Sequence, residues 1–344
     1  MARPKTAAKR KRINLALQGG GSHGAFAWGV LDRLLESDLF EIEGVVGTSA
    51  GAMNAAVLAH GLAIGGNEGA RAELRRFWHG ISESTRHSPL KPSPLDRIMQ
   101  PGSMQYSPVY MMFDLMTRLL SPYQLNPGNV NPLRDLLQSI VQCEDLRNCV
   151  SVKLFICATN VLSGKIRVFQ NQDVSIDAVM ASACLPFLFQ AVEVDGEHYW
   201  DGGYMGNPPI YPLIYDCESR DVLIVQINPI RIEEVPTSAH AIMDRINTLS
   251  FNSSLMREMR AIHFVTKMID GGYDDNGRLK RMLIHSIDAE EELRKFGASS
   301  KLNAEWDFLQ SLFELGRSRA DLFITAHYDK VGRESSTDLI EKFL

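Results

Sequence analysis

A serine and an aspartate lie far apart in this chain, each in a setting that leaves it uncrowded. Gly47-Thr48-Ser49-Ala50-Gly51 follows an apolar run ending at Val46 and opens the Ala-rich stretch Ala50 to His60. That order is strand, turn, helix, the context in which Gly-x-Ser-x-Gly holds a nucleophilic serine on a strained, exposed turn. Gly47 and Gly51 flank the serine without side chains, so the turn can tighten. The following helix aims its positive end at the site and favours negative charge developing on a substrate oxygen. A plain glycine-rich turn accounts for these five residues equally well. Asp201-Gly202-Gly203 ends the short run Glu197 to Trp200. Asp-Gly is a common turn dipeptide, but as chemistry Asp201 would reach Ser49 directly and act as general base. A carboxylate is ordinarily too acidic for that task, so the site must shield it and raise its basicity.

A third segment, Gly19-Gly20-Gly21-Ser22-His23-Gly24, fits Gly-x-Gly-x-x-Gly. A dinucleotide site would also need an acidic residue closing the second strand, and Asp38 and Glu41 come before that strand's apolar residues instead. Consecutive glycines expose backbone N–H groups, the donors that a tetrahedral oxyanion needs. Gly19 to Ser22 is therefore the expected oxyanion loop, with Gly20, Gly21 and Ser22 as the best-placed donors.

These residues need a scaffold, and the chain supplies one in alternation. Ile13 to Leu17 reads as a buried strand and Ala25 to Glu36 as a helix with Val30, Leu31, Leu34 and Leu35 on one face. Glu43 to Val46, Lys153 to Thr159 and Asp221 to Ile227 read as further strands, the last apolar enough to be buried on both faces. Strands alternating with helices predict an α/β fold with a largely parallel sheet and a site at the carboxyl ends of its strands. Between Pro89 and Pro132 the pattern loosens around the Met-rich run Tyr110 to Leu120. A core helix is the expectation for that run, with a lid or acyl-chain-contacting helix as the alternative. Beyond Pro236 the spacing of Leu255, Met259 and Ile262, and of Leu302, Trp306, Leu309 and Phe313, is helical. These helices would pack on the sheet domain or on a second copy of it, which leaves a homo-oligomer open.

Four blocks in order give the chain a resemblance to the patatin-like phospholipase family: GGGSHG at 19–24, GTSAG at 47–51, Ala181-Ser182-Ala183-Cys184-Leu185-Pro186, and DGG at 201–203. The likeness covers residues 13 to about 214. It implies a three-layer α/β/α patatin-like fold plus a C-terminal helical extension, and a Ser/Asp dyad in place of a triad. By that resemblance Ser49 is the nucleophile, Asp201 the base, and Gly19, Gly20, Gly21 and Ser22 the oxyanion hole, with His23, Gly24, Gly47, Gly51, Gly202 and Gly203 supporting. The implied activity is lipid acyl hydrolysis of the phospholipase A or lysophospholipase kind, without metal or cofactor. Two positions depart from the family pattern. Gly203 stands where Ala is frequent, and His23 where Arg or Lys is frequent, replacing a fixed cation by a group that ordinarily titrates near neutrality.

The expected organisation is a basic, disordered tail over 1–12, a catalytic domain over 13–235 with its motif-bearing core at 13–214, and a helical extension over 236–344. The tail carries Arg3, Lys5, Lys9, Arg10, Lys11 and Arg12 with no acidic partner. It and the 104–120 apolar segment are the candidate contacts with a lipid surface. A net charge of −5 is mild, and no nucleic-acid partner is expected. No export signal or apolar run of membrane-spanning length is recognised, and five cysteines without tight pairing read as reduced structural thiols. A cytoplasmic protein, at most peripheral to a membrane, is the expectation. Two rivals remain: a triad esterase using His240, His263, His285 or His327, all after Asp201 in the chain, and a lipid-binding protein with little turnover. An acyltransferase would share the acyl-enzyme step.

Overall fold

Ile13 to Leu17 is buried on both faces, and the sheet is built outward from it. A computed structural model describes residues 10–147, 151–273 and 276–344. Within them the strands are β1 (Lys11–Leu17), β2 (Phe40–Gly47), β3 (Lys153–Asn160), β4 (Ile166–Gln170), β5 (Val192–Val194), β6 (Glu197–Asp201), β7 (Asp221–Val225) and β8 (Leu283–Ile287). They form one sheet in the order β5-β6-β3-β2-β1-β7-β8, with β4 also paired to β3. From β3 through β8 the order is parallel, while β4, β5 and β6 pair antiparallel.

Side-chain alternation divides the core into two layers. Leu15, Leu17, Leu223 and Val225 face one apolar cluster, shared with α1 (Gly24–Ser37), α2 (Ala50–Ser84) and the helix Trp306–His327. Ala16, Val222 and Ile224 face the other, which includes Leu255, Met259 and Ile262 of the helix Ala239–Asp270. The result is the expected α/β/α arrangement. The Trp306–His327 helix is tied to α1 electrostatically as well: Arg317 pairs with Asp32 and Glu36, and Arg71 of α2 pairs with the same two carboxylates.

Strand exchange on β3 brings the two candidate catalytic segments together. β2 pairs with β3 only as far as Gly47↔Ile156, and β4 occupies the opposite edge of β3 from Phe155 to Thr159. β6, paired at Ala158↔Asp201, must therefore take over the edge that β2 vacates. The last residue of β6 thus arrives beside the turn that leaves β2.

Three expectations are revised. The region after residue 235 is not purely helical, because β8 extends the sheet beyond β7. The basic tail is ordered from Arg10: Arg10 pairs with Asp38, Arg12 with Glu41 and Glu218, and Lys11 Nζ donates to the carbonyls of Tyr328 (2.6 Å) and Val331 (2.9 Å). The remainder of that tail, 1–9, lies outside the described residues. The Met-rich run forms a helix, Pro108–Leu119, but only Tyr110 is buried, and Met111, Met112, Leu115 and Leu119 are at least half exposed. Apolar composition alone does not separate a core helix from one facing an apolar ligand. Among the described residues no helix is long and apolar enough to cross a membrane, and Cys143, Cys157, Cys184 and Cys217 are free thiols. Cys149 lies outside the described residues.

Candidate active site

Ser49 occupies the single residue between Thr48 and the start of α2, with φ 56° and ψ −124°. A residue with a side chain reaches that conformation only when its surroundings impose it, and here they do. The Ser49 N–H donates to Ser182 Oγ at 3.0 Å, Thr48 Oγ1 donates to the Gly206 carbonyl at 2.8 Å, and the Gly51 N–H returns to the Thr48 carbonyl at 2.8 Å. Gly19 closes over the turn so tightly that a Cβ there would lie 2.5 Å from Ser49 Cβ. Only glycine fits.

Asp201 is completely buried at the end of β6. Its N–H donates to the Cys184 carbonyl at 2.8 Å, and its own carbonyl accepts from Thr159 Oγ1 at 2.9 Å. The Ala181–Pro186 segment thereby touches both partners, Ser182 holding the serine backbone and Cys184 the aspartate backbone. Asp201 Oδ1 accepts the Gly203 N–H at 2.7 Å, while Oδ2 is buried without a hydrogen bond. Burial pushes the carboxyl up to about 7, against the opposing pull of the Gly203 amide, the Ser49 side chain and the Lys301 charge. Ser49 is thus close enough to favour the carboxylate while Oδ2 still lacks a fully formed hydrogen bond, a looseness common before substrate binds.

The glycine loop is fixed by amides from other strand ends. Gly19 is committed at both ends of its backbone: its N–H donates to Asn207 Oδ1 (2.7 Å) and its carbonyl accepts from Asn228 Nδ2 (2.7 Å). Gln18 Oε1 in turn accepts the backbone N–H groups of Ile227 and Asn228, each at 2.9 Å. This removes Gly19 from the expected donors, and Ser22, buried, does not line the cavity. Gly20 and Gly21, both beside Ser49 in the cavity wall, are left as candidate donors. The supporting glycines adjoin the two turns: Gly47 ends β2, Gly51 lies in the first turn of α2, Gly24 opens α1, and Gly202 and Gly203 follow Asp201.

His23 overturns an expectation. Its ring is buried between Phe296 and Phe308, with Nε2 2.8 Å from Ser300 Oγ. Ser300 Oγ–H donates to the Gly297 carbonyl at 2.7 Å, so it accepts from Nε2–H, and Nδ1 remains an unpartnered acceptor. Burial, then the Lys301 charge, lowers its pKa to about 3. The ring is a neutral buttress of the loop, not a group titrating near neutrality.

Nor, among the described side chains, is a downstream histidine brought to Ser49. His285 Nε2 bonds Asp221 Oδ1 (3.0 Å), and its Nδ1 bonds Ser336 Oγ (2.9 Å), tying the C-terminal segment to the sheet. His327 packs on Phe323, and His263 lies in the Ala239–Asp270 helix; neither lines the cavity. The His240 side chain lies outside the described residues. Among the described residues no group of His, Cys, Asp and Glu could hold a metal ion.

Ser49 and the glycines open on a cavity of about 320 Å³. Its lining is apolar at Leu185, Phe187, Leu188, Tyr204, Met243, Phe251 and Leu302, and polar at Asp114, Arg118, Asp244, Asn247 and Lys301. Sequence reasoning missed Ser182 as the clamp on Ser49, the amide trio Gln18, Asn207 and Asn228, and Lys301. Gln18 and Asn228 carried a signal, being polar residues just past the ends of apolar strands; Lys301 carried none.

A family model of patatin-like phospholipases matches residues 15–214, and the chain belongs to the patatin-like phospholipase family. Among individual proteins it is 24% identical over 218 residues to an uncharacterized protein of Acanthamoeba polyphaga mimivirus, a match covering 60% of this chain and 63% of that protein. The chain thus matches under two thirds of that relative's length. Among solved structures it is similar to VipD of Legionella pneumophila, with 15% identity, 98% of this chain and 73% of that chain covered, and a TM-score of 0.46. It is also similar to the ExoU–SpcU complex of the Pseudomonas aeruginosa type III secretion system, with 17% identity, coverage of 94% and 53%, and a TM-score of 0.37.

Proposed function

We propose that this chain is a lipid acyl hydrolase that cleaves carboxylic esters through Ser49 and Asp201 without a catalytic histidine. The observation that carries the reading is the buried Asp201, its carboxyl raised to about 7, next to a serine held at φ 56° between a strand and a helix. A base poised near neutrality can take the Ser49 proton as Oγ attacks the ester carbonyl. The Gly20 and Gly21 amides, with the N-terminus of α2, favour the oxyanion that forms. Asp201 then returns the proton to the leaving alcohol, and water releases the fatty acid by the same route in reverse.

The apolar part of the lining suits an acyl chain, and the polar part suits the glycerol and headgroup of a phospholipid or lysophospholipid. Met111, Met112 and Leu115 are exposed on the Pro108–Leu119 helix, whose Tyr110 and Arg118 line the cavity. That helix would rest on a lipid surface, with Arg3, Lys5 and Lys9 of the basic tail drawn to anionic headgroups. The dyad and its loop are assigned to a unit over 13–235, and the rest of the chain braces it and completes the lining of the cavity. A panel of esters graded in chain length and headgroup, run on wild type and Asp201→Asn, tests the reading. Turnover of long-chain lipid esters that collapses in the variant supports it; turnover that survives removes Asp201 from its role.

A further inference from the structure

The catalytic cavity contains a cation that the glycine loop does not itself supply. Lys301 lies in the short turn Ala298–Leu302, far along the chain from the loop. Its carbonyl abuts Gly21, which sits at φ 58°, so closely that a side chain on Gly21 would overlap it. Lys301 Nζ donates to Asn228 Oδ1 at 2.8 Å, and the same Asn228 amide donates to the Gly19 carbonyl at 2.7 Å. The ammonium is therefore one side-chain amide away from the loop backbone, in a cavity it lines together with Ser49, Gly20 and Gly21. Arg118, another cation lining that cavity, is held by both carboxylate oxygens of Asp114 at 2.9 and 3.1 Å. His23 is neutral.

We propose that Lys301, supplied by the C-terminal part of the chain, acts as an active-site cation that favours the oxyanion at Gly20 and Gly21 and the ionised Asp201 that precedes it. The inference rests on the reading of Ser49 and Asp201 as the dyad. As Oγ bonds to the ester carbon, its proton passes to Asp201 and the carbonyl π pair moves to oxygen. Negative charge thus leaves Asp201 and appears on the oxyanion, with no change in the total. A cation near both accelerates attack only insofar as it lies closer to the oxyanion.

That separation gives two readouts. The acid limb of the pH–rate profile reports how well ionised Asp201 is stabilised; the alkaline plateau reports the preference for the oxyanion. Burial raises the other ionisable groups around Asp201, to about 12 for Cys184 and Tyr204 and upward for Cys157, so they stay neutral through the limb. Burial lowers the pKa of Lys301 from its ordinary value, and the charges of Asp244 and Asp201 pull the other way, toward the ammonium form.

The test is the pH dependence of kcat/KM on a soluble p-nitrophenyl ester, and of fluorophosphonate labelling, for the full-length wild type and Lys301→Arg, Lys301→Met and Lys301→Gln. Lys301→Met should move the acid limb upward by on the order of one pH unit and lower the plateau at least about tenfold, with kcat falling more than KM rises. Lys301→Gln, which can still hydrogen-bond Asn228, should behave like Met, and Lys301→Arg should keep the wild-type limb. If the Met variant loses its cooperative thermal transition, the Gln and Arg pair decides. An unmoved limb in the neutral variants, or an Arg variant no better than a neutral one, overturns the role of Lys301. A wild type that neither turns over esters nor labels at Ser49 removes the dyad reading instead.

Discussion

Replacing Asp201 by Asn should abolish turnover and at the same time stabilise the fold, by an amount that grows with pH. The carboxyl passes from an ordinary 3.8 in the unfolded chain to about 7 in the folded one. Between those values the unfolded chain has released its proton while the folded protein retains it, so stability falls as pH rises through that window. Above the folded value the whole penalty is present. One pKa unit corresponds to about 1.4 kcal/mol, which makes the penalty about 2 kcal/mol at pH 5 and about 4 kcal/mol at pH 8.5. Asn carries no charge at either pH, and its Nδ2 takes the place of the unpartnered Oδ2. Other titrating groups are common to both proteins, so the difference between them isolates Asp201. Equilibrium urea unfolding of wild type and Asp201→Asn at the two pH values measures it. The expected result is a stabilisation of the variant that widens by about 2 kcal/mol from pH 5 to pH 8.5. A difference that stays flat with pH, or a variant less stable than wild type at pH 8.5, refutes the claim that Asp201 is held ionised at a cost in stability for the sake of chemistry.

Ser182→Ala deprives the Ser49 N–H of its acceptor; urea unfolding should register a loss of about 1–2 kcal/mol and ester kinetics a kcat lowered by roughly tenfold. An unchanged kcat would mean that the strained turn holds without its clamp. His285→Ala breaks the bonds to Asp221 and Ser336 and should cost about 1–3 kcal/mol of stability, leaving kcat/KM of the folded protein within about threefold of wild type. A fall of several orders of magnitude would restore the triad reading. Met111, Met112 and Leu115, changed together to Ser, should weaken hydrolysis of phospholipid vesicles by about tenfold or more with little effect on a soluble short-chain ester; equal losses on both substrates would place the helix in catalysis, not at the lipid surface.

The strand-turn-helix around Ser49 was legible because apolar residues, glycines and small helix formers follow each other within a few positions. The same holds for β1, β7 and the glycine loop, whose signals are local. The pairing of β6 with β3 was not legible, since an antiparallel strand that replaces β2 along one edge leaves no periodicity of its own. Neither was β8, a five-residue strand between two long helices. His23 was misread for the same kind of reason: its neutrality comes from Phe296, Phe308, Ser300 and Lys301, all supplied by the far end of the chain. Gly19 looked like a donor because its own N–H is visible in sequence, whereas the Asn207 side chain that occupies it is not.

The central claim is that Ser49, activated by Asp201, is the nucleophile. Mass-spectrometric mapping of a fluorophosphonate adduct, with labelling rates followed against pH, tests it most directly. The expected adduct is on Ser49, its rate rising to a plateau above a midpoint near 7, the value to which burial brings Asp201, and falling by orders of magnitude in Asp201→Asn. An adduct on another residue, or a Ser49 adduct whose rate is indifferent to Asp201→Asn, contradicts it.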